Sequence, residues 1–133
     1  MLLFGINPVY TKRARYAAIL WTLLIFILCF LPGKDIPEIH IPLIDKWAHM
    51  ILFGVFTYLW HSTTPTKSIR YKCLLLSISL FLGWLVEYVQ GHYVPQRSQD
   101  NMDILADTIG GITGVIVYAA VYYKFYNNIK RKP

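Results

Sequence analysis

Apolar residues along the chain are gathered into four long runs that short polar segments separate. The runs cover residues 16–31, 46–62, 73–90 and 104–123. Each is about as long as the helix of roughly 20 residues that crosses the ~30 Å hydrocarbon core of a bilayer. The pattern therefore predicts an all-α protein, a four-helix transmembrane bundle that forms one domain over residues 1–133.

The first run has a second interpretation, because Lys12, Arg13 and Arg15 precede its apolar core as in a secretory signal peptide. No small-x-small cleavage site follows the run, which ends at Pro32 and Gly33. We therefore interpret it as a retained helix.

Composition agrees with a membrane protein. Apolar residues make up 56% of the chain and charged residues 15%, against roughly 25% charged residues in soluble domains. The net charge of +6 does not indicate a nucleic-acid partner, because the basic residues lie between apolar runs and form no continuous stripe.

The two signs of charge separate along the predicted bundle. Ten of the 13 basic residues flank the same ends of the helices: Lys12, Arg13, Arg15, Lys67, Arg70, Lys72, Lys124, Lys130, Arg131 and Lys132. The positive-inside rule makes this end cytoplasmic, with both chain termini. All seven acids belong to the other half, so the loops at residues 32–46 and 91–103 are expected outside the cell membrane. This topology places Cys29 and Cys73 near opposite ends, too far apart for a disulfide.

Polar residues converge on the acidic end from three helices. Asp45 and His49 are four residues apart and share a helical face. Glu87 and Gln90 end the third helix, while Asp103 and Asp107 begin the fourth; Arg97 lies in the loop between them. Burying a lone charge at membrane depth costs about 2.5–3.5 kcal/mol. We therefore predict a partly buried network in which Arg97 and Lys46 neutralise two or more of the acids, and which includes His49 and Gln90.

Ordinary structural roles compete at several of these positions. Asp45 is suited to capping the second helix, and Asp100 or Asp103 to capping the fourth. Gly110 and Gly114 form a GxxxG pattern, which is typical of close helix packing. We interpret His40, His61 and His92 as solvated side chains.

Three motifs carry a family resemblance: DKWAHMILF at residues 45–53, EYVQ at 87–90, and RSQDNMDILADTIGGITG at 97–114. In this order they resemble the VanZ-like family, although Asp107 stands where that family usually has asparagine. The resemblance implies a small polytopic membrane protein. The family's name-giving member is associated with resistance to the glycopeptide antibiotic teicoplanin, and no catalytic roles are established for the family.

The leading functional hypothesis is a site that binds or acts on an anionic lipid head group, such as a polyprenyl-phosphate-linked intermediate of the cell envelope. Lys46, His49, Gln90 and Arg97 are the candidates for binding the anion. His49, Glu87 and Asp103 are the candidates for catalysis, and Asp45, Glu87, Asp103 and Asp107 form the supporting network.

Three alternatives remain. The network can be scaffolding in a non-enzymatic membrane protein, and four short helices bury little surface, which leaves a homodimer open. A metal site of His49, Glu87, Asp103 and Asp45 has acceptable ligand types, but the nearby Lys46 and Arg97 oppose a further cation. We therefore expect neither a metal nor another cofactor. Ion transport is disfavoured because the other halves of the helices offer only hydroxyl groups.

Overall fold

Every regular element of the described chain is helical. The computed structural model describes residues 8–35 and 42–130. Four α-helices fill these ranges: α1 (Pro8–Cys29), α2 (Ile44–Thr63), α3 (Ile69–Tyr93) and α4 (Asn101–Lys130), with one 3-10 turn at Gly33–Asp35. The all-α prediction and the number of helices are confirmed.

The helices extend beyond the apolar runs into their polar flanks. α1 begins at Pro8 and includes Lys12, Arg13 and Arg15, which the apolar pattern placed before the helix. Proline is favoured at a first helical position, and lysine and arginine are good helix formers. The apolar runs therefore locate the helices but underestimate their lengths.

Two helices, α3 and residues 101–124 of α4, are long and apolar enough to cross a membrane. α1 carries three basic residues near its start, and α2 contains Lys46, His49 and His61. The charged and polar residues of α1 and α2 lower their hydropathy. Membrane crossing is therefore supported for two of the four predicted spans.

Helix α2 lies at the centre of the bundle and packs most extensively against α4, then against α1. Gly110 and Gly114 face the α2 backbone, where an added Cβ would collide with the carbonyl oxygens of Met50 and Gly54. The close packing predicted from GxxxG is confirmed, and it places the first turns of α2 beside those of α4.

The apolar core joins α1, α2 and α3 through Ile25, Cys29, Phe53, Phe56 and Val86. Two indole groups fasten α1 to α2, because Trp21 Nε1 donates to the carbonyl of Leu52 (2.8 Å) and Trp60 Nε1 to Thr22 Oγ1 (3.1 Å). Cys29 is a buried free thiol, whereas Cys73 is an exposed one.

The interpretation of His61 as a solvated side chain is wrong. His61 is fully buried, and its ring stacks on Tyr118 of α4 with centroids 4.0 Å apart. Its position eight residues after Phe53 and four after Thr57 puts it on the same inward stripe of α2 as these buried residues. His92 is exposed as expected, and His40 lies outside the described residues.

Candidate functional site

Polar side chains from three helices meet at one end of the bundle, here called the acidic end. α2 contributes Asp45, Lys46 and His49 from its first turns, and α3 contributes Glu87 from its last turns. α4 contributes Asp103 and Asp107, with Asp100 directly before its first residue. We call these seven residues the acidic-end cluster.

His49 lies at the centre of the cluster and is 4% exposed. Its Nδ1 atom is 2.9 Å from Asp107 Oδ1. When Asp107 is ionised, its carboxylate only accepts hydrogen bonds, and Nδ1 then carries the proton that His49 donates to it. The other ring nitrogen, Nε2, lies 3.9 Å from Glu87 Oε1 and 4.0 Å from Asp103 Oδ2.

Glu87 is fully buried although it is a carboxylic acid. Its Oε2 atom accepts a hydrogen bond from the backbone N–H of Asp100 at 2.9 Å. Its Oε1 atom is buried and has no hydrogen-bond partner within the described ranges. Such an atom loses its hydration without a replacement, which costs about 1–3 kcal/mol or more for a charged group.

Lys46 is the ammonium group of the cluster, and three carboxylates surround it. Its Nζ atom lies 2.8 Å from Asp45 Oδ2 and 2.8 Å from Asp103 Oδ1, in ion-pair contact with both, and it also contacts Asp100 Oδ2. The adjacent ammonium of Lys46 holds the pKa of the Asp100 carboxyl below its ordinary value. Lys46 is therefore the shared cation of the three outer acids and balances only part of their charge.

The helix caps differ from expectation at one of two positions. Asp100 caps α4, because its Oδ1 atom accepts the backbone N–H of Met102 at 2.8 Å. Asp45 does not cap α2: Leu43 occupies that position with a left-handed φ of 58° and makes no side-chain cap bond. Asp45 lies in the first turn, where its carboxylate binds Lys46 and faces the positive end of the helix dipole.

Arg97 and Gln90 lie outside the network that was predicted to include them. Arg97 makes no ion pair with the residues the structure describes. Gln90 Nε2 instead donates to the carbonyl of Cys29 at 2.6 Å, which ties α3 to the end of α1. Gln96, directly before Arg97 in the loop, has a left-handed φ of 59°. The predicted neutralisation by Arg97 is therefore not formed.

Acids outnumber cations in the acidic-end cluster. Its five carboxylates belong to Asp45, Glu87, Asp100, Asp103 and Asp107, and Lys46 and His49 are their partners. Because Lys46 contacts the outer three acids, Glu87 and Asp107 depend on His49 and on backbone N–H groups. Asp100 was considered only as a helix cap; its position directly before α4, beside the cluster, was the available signal.

A groove of about 260 Å³ opens between α2 and α4 beside the cluster. Its lining residues are apolar apart from Lys46. They include Trp47, Met50, Met102, Ala106 and Ile109. Sequence patterns did not indicate this groove, since each lining residue reads as an ordinary lipid-facing or packing residue of its helix.

A comparison with protein-family models matches residues 6–122 of the chain to VanZ/LLP1. The chain belongs to the VanZ/LLP1 family. The match includes every residue of the acidic-end cluster and agrees with the resemblance carried by the three motifs. No curated protein sequence and no solved structure matches the chain.

The structure of this VanZ/LLP1 family member sorts its motif residues into two sets. Asp45, Lys46, His49, Glu87, Asp103 and Asp107 meet in the acidic-end cluster, whereas Gln90 and Arg97 do not contact it through ion pairs. Asp107 stands where the family usually has asparagine, and its Oδ1 atom forms a hydrogen bond with His49 Nδ1. An asparagine carbonyl oxygen would accept the same bond without the charge.

Proposed function

We propose that this protein is a multi-pass membrane protein that binds a phosphate-bearing lipid at the outer end of its helix bundle. The observation that carries the proposal is the apolar groove between α2 and α4, whose one charged lining residue is Lys46. A hydrocarbon chain fits apolar walls, and an ammonium group binds a phosphate as a point charge.

The membrane arrangement of the proposal has four spans with both termini in the cytoplasm. Support for it comes from the outward faces of α1 and α2. Leu20 of α1 is 67% exposed and Ile27 is 62% exposed; Ile51 of α2 is 58% exposed. Meanwhile His49, Thr57 and His61 are buried. Exposed apolar and buried polar residues suit a helix that contacts lipid outside and helices inside.

Helix direction favours an anion at the acidic end. α2 and α4 both begin there, at Ile44 and Asn101, so the positive ends of their dipoles point toward the same region. The groove extends along α4 from Met102 to Ile109, a length of about 10 Å at ~1.5 Å per residue. A lipid chain in the groove would place its head group beside Lys46.

The carboxylates around Lys46 determine how a phosphate would enter. Asp45 is the most exposed of its three partners, with 54% of its side chain accessible. A phosphate would therefore replace Asp45 at the ammonium and leave the more buried pair of Lys46 and Asp103 intact. Should the site also act on the lipid, His49, Glu87 and Asp103 are the groups placed to transfer protons.

The lipid class that we propose is one whose chemistry matches an apolar groove beside an ammonium group. Lipid-linked intermediates of the cell wall combine a long polyprenyl chain with a phosphate at the outer leaflet. They also connect the site with the teicoplanin resistance associated with the family's name-giving member.

Binding is tested by titrating the purified protein in detergent with polyprenyl phosphate, uncharged polyprenol and inorganic phosphate. Trp47 lines the groove and is 53% exposed, so its fluorescence reports occupancy, and Trp47→Phe identifies its share of the signal. We expect polyprenyl phosphate to bind best. Lys46→Gln should weaken its binding about 10- to 100-fold, because a hydrogen bond to a charged group is worth about 1.5–3 kcal/mol, and should leave polyprenol unchanged.

Matched substitutions separate the groove from the rest of α4. Ile109→Trp fills the groove and should abolish binding of both lipids. Ile116→Trp makes the same change one heptad further along, at a position 61% exposed, and should bind normally. Asp45→Asn should tighten binding of the phosphate lipid. Equal binding of polyprenol and polyprenyl phosphate, or an unaltered Lys46→Gln, would reject the proposal.

A scaffolding role is the second candidate, because the His49 ring contacts a carboxylate of α3 and a carboxylate of α4. In that case the cluster only holds the helices together. Full activity in a cell assay after neutral replacement of Lys46 and Glu87, with normal amounts of protein, would select this role over lipid binding.

A further inference from the structure

The centre of the acidic-end cluster has the chemistry of a metal site. One donor atom from each of His49, Glu87 and Asp103 lies within 4.8 Å of the other two. Each of the three residues is buried, and each comes from a different helix. We propose that His49 Nε2, Glu87 Oε1 and Asp103 Oδ2 bind a divalent transition-metal ion of the Zn²⁺ or Mn²⁺ type.

Each of the three ligand residues is held in place by its other polar side-chain atom. His49 Nδ1 donates to Asp107, which leaves the lone pair of Nε2 directed toward Glu87 and Asp103. Carboxylate–histidine pairs of this kind orient histidines that bind metals. Asp107 is thus a positioning residue for His49.

The carboxylates of Glu87 and Asp103 are likewise each held through one oxygen, which leaves the other oxygen for a metal ion. Glu87 Oε2 accepts the backbone N–H of Asp100, and Asp103 Oδ1 is paired with Lys46. Consequently the atoms that face His49 Nε2 are the remaining oxygens, Glu87 Oε1 at 3.9 Å and Asp103 Oδ2 at 4.0 Å. Glu87 Oε1 is one of several buried side-chain atoms without a hydrogen-bond partner within the described ranges, and because it faces His49 Nε2 it is an independent indication of a ligand at this point.

The charge balance of the cluster also favours a bound cation. Arg97 and Lys46 were both expected to oppose a cation in the cluster, but Arg97 makes no ion pair with the described residues. Lys46 contacts the side of Asp103 that faces Asp45 and Asp100. The inner acids, Glu87 and Asp107, have no ammonium or guanidinium contact among the described residues. A divalent ion would neutralise this inner part.

The three donor atoms lie within 4.8 Å of one another and would have to close on the ion. Ligand distances of about 2.1 Å separate two donors of a tetrahedral zinc ion by ~3.4 Å, about half an ångström less than the distances from Nε2. Rotation of the Glu87 and Asp103 carboxylates can close that gap. One imidazole and two carboxylates suit zinc or manganese and leave a coordination position for water or a phosphate oxygen. The metal site does not depend on the lipid proposal, because it is defined by protein atoms alone.

The experiment measures metal uptake without lipid. The full chain is purified in detergent through a tag that contains no histidine, stripped with a chelator, and titrated with ZnCl₂ and separately with MnCl₂. We expect one ion per chain for at least one metal. Glu87→Gln and His49→Gln should each weaken binding by about 100-fold or more. Asp107→Ala should weaken it about 10- to 100-fold, the usual effect of removing a residue that orients a ligand, and Asp107→Asn should weaken it less.

The matched control is His92→Gln, which removes an exposed histidine at the same end of α3 and should leave metal binding unchanged. X-ray absorption of the zinc-loaded wild type should show one imidazole nitrogen, with the other ligands being oxygens. Two or more imidazoles would overturn the proposal. So would the absence of uptake by the wild type, a result that needs no variant to fold, or equal binding by Glu87→Gln. Failure of lipid binding with intact zinc uptake would reject the proposed function alone.

Discussion

The two histidines that α2 buries, His49 and His61, have opposite surroundings. His49 lies among carboxylates: its ring nitrogens are 2.9 Å from Asp107, 3.9 Å from Glu87 and 4.0 Å from Asp103. His61 lies among aromatic rings: it stacks on Tyr118 at 4.0 Å and meets Tyr71 edge-on at 5.4 Å. Neither of its ring nitrogens has a hydrogen-bond partner among the residues the structure describes.

The difference shows that burial of a histidine does not identify a site. Both residues lie on the inward stripe of one helix and are 4% and 0% exposed, so burial alone treats them equally. Their partners differ because α3 and α4 present acids at one end and tyrosines and apolar residues at the other. His49 is therefore held by polar contacts, whereas His61 contributes ring packing.

The largest effect is expected from His49→Phe, compared with the same substitution at His61. Phenylalanine cannot donate to Asp107, which would leave a buried carboxylate without its partner and cost about 3–5 kcal/mol of unfolding free energy. His61→Phe keeps a stacking ring of similar volume and should change stability by less than about 1.5 kcal/mol. Thermal and denaturant unfolding in detergent measures both.

Two results would break this comparison. Equal losses for the two variants would mean that His61 has polar contacts as important as those of His49. A harmless His49→Phe would mean that Asp107 does not need a donor, and would argue for a protonated Asp107. His49→Gln is the conservative variant, since its amide can restore part of the hydrogen bond to Asp107.

The second prediction concerns the close packing of α2 against α4, which lies between the surroundings of His49 and those of His61. Gly114→Ala places a methyl group against the carbonyl of Gly54, a backbone atom that cannot rotate away. We expect a loss of about 1–3 kcal/mol from overpacking. In Gly111→Ala the nearest atom is Ser79 Oγ, at 2.9 Å from the added carbon.

Because the Ser79 hydroxyl can change rotamer, Gly111→Ala should cost less than Gly114→Ala in the same unfolding measurement. An equal or larger loss for Gly111→Ala would contradict the closer approach of the Gly54 carbonyl to Gly114 than of the Ser79 hydroxyl to Gly111. Because α2 and α4 both contribute residues to the acidic-end cluster, a substitution that forces these helices apart should also weaken the contacts within the cluster.

Some of this arrangement is readable from the sequence because it depends on helical spacing. Apolar runs predict the helices, Gly110 and Gly114 predict the crossing, and the spacing of Asp103 and Asp107 puts both on one face of α4. Helix order and direction then suffice to bring Lys46, His49 and Glu87 to the same end.

The remaining residues depend on loop geometry, which has no periodic signal. Arg97 follows Gln96, whose positive φ of 59° is not evident from its residue type. Gln90 is three residues after Glu87, yet it reaches the end of α1 because it lies nearly one turn beyond the cluster. Charge complementarity favoured pairing Arg97 with the acids, but among the described residues the ammonium group that contacts them is that of Lys46, which helix α2 positions.

The last prediction distinguishes a cation inside the cluster from one outside it through two double-mutant cycles. Lys46→Gln with Asp103→Asn should show a coupling of about 0.5–3 kcal/mol, because the two side chains form an ion pair at 2.8 Å and are only 19% and 10% exposed. Glu87→Gln with Arg97→Gln should be additive within about 0.3–0.5 kcal/mol, as expected of residues without a shared contact. Unfolding in detergent at fixed salt supplies all the free energies.

The outcome of the second cycle has consequences for the first. If Glu87 and Arg97 couple as strongly as Lys46 and Asp103, Arg97 reaches the inner carboxylates in solution, and the inner acids then have their own monovalent cation. The need for a divalent ion at Glu87 Oε1 would disappear with that result. If they are additive, the inner carboxylates depend on His49, on backbone donors and on whatever cation binds there, which is the condition that the proposed metal site requires.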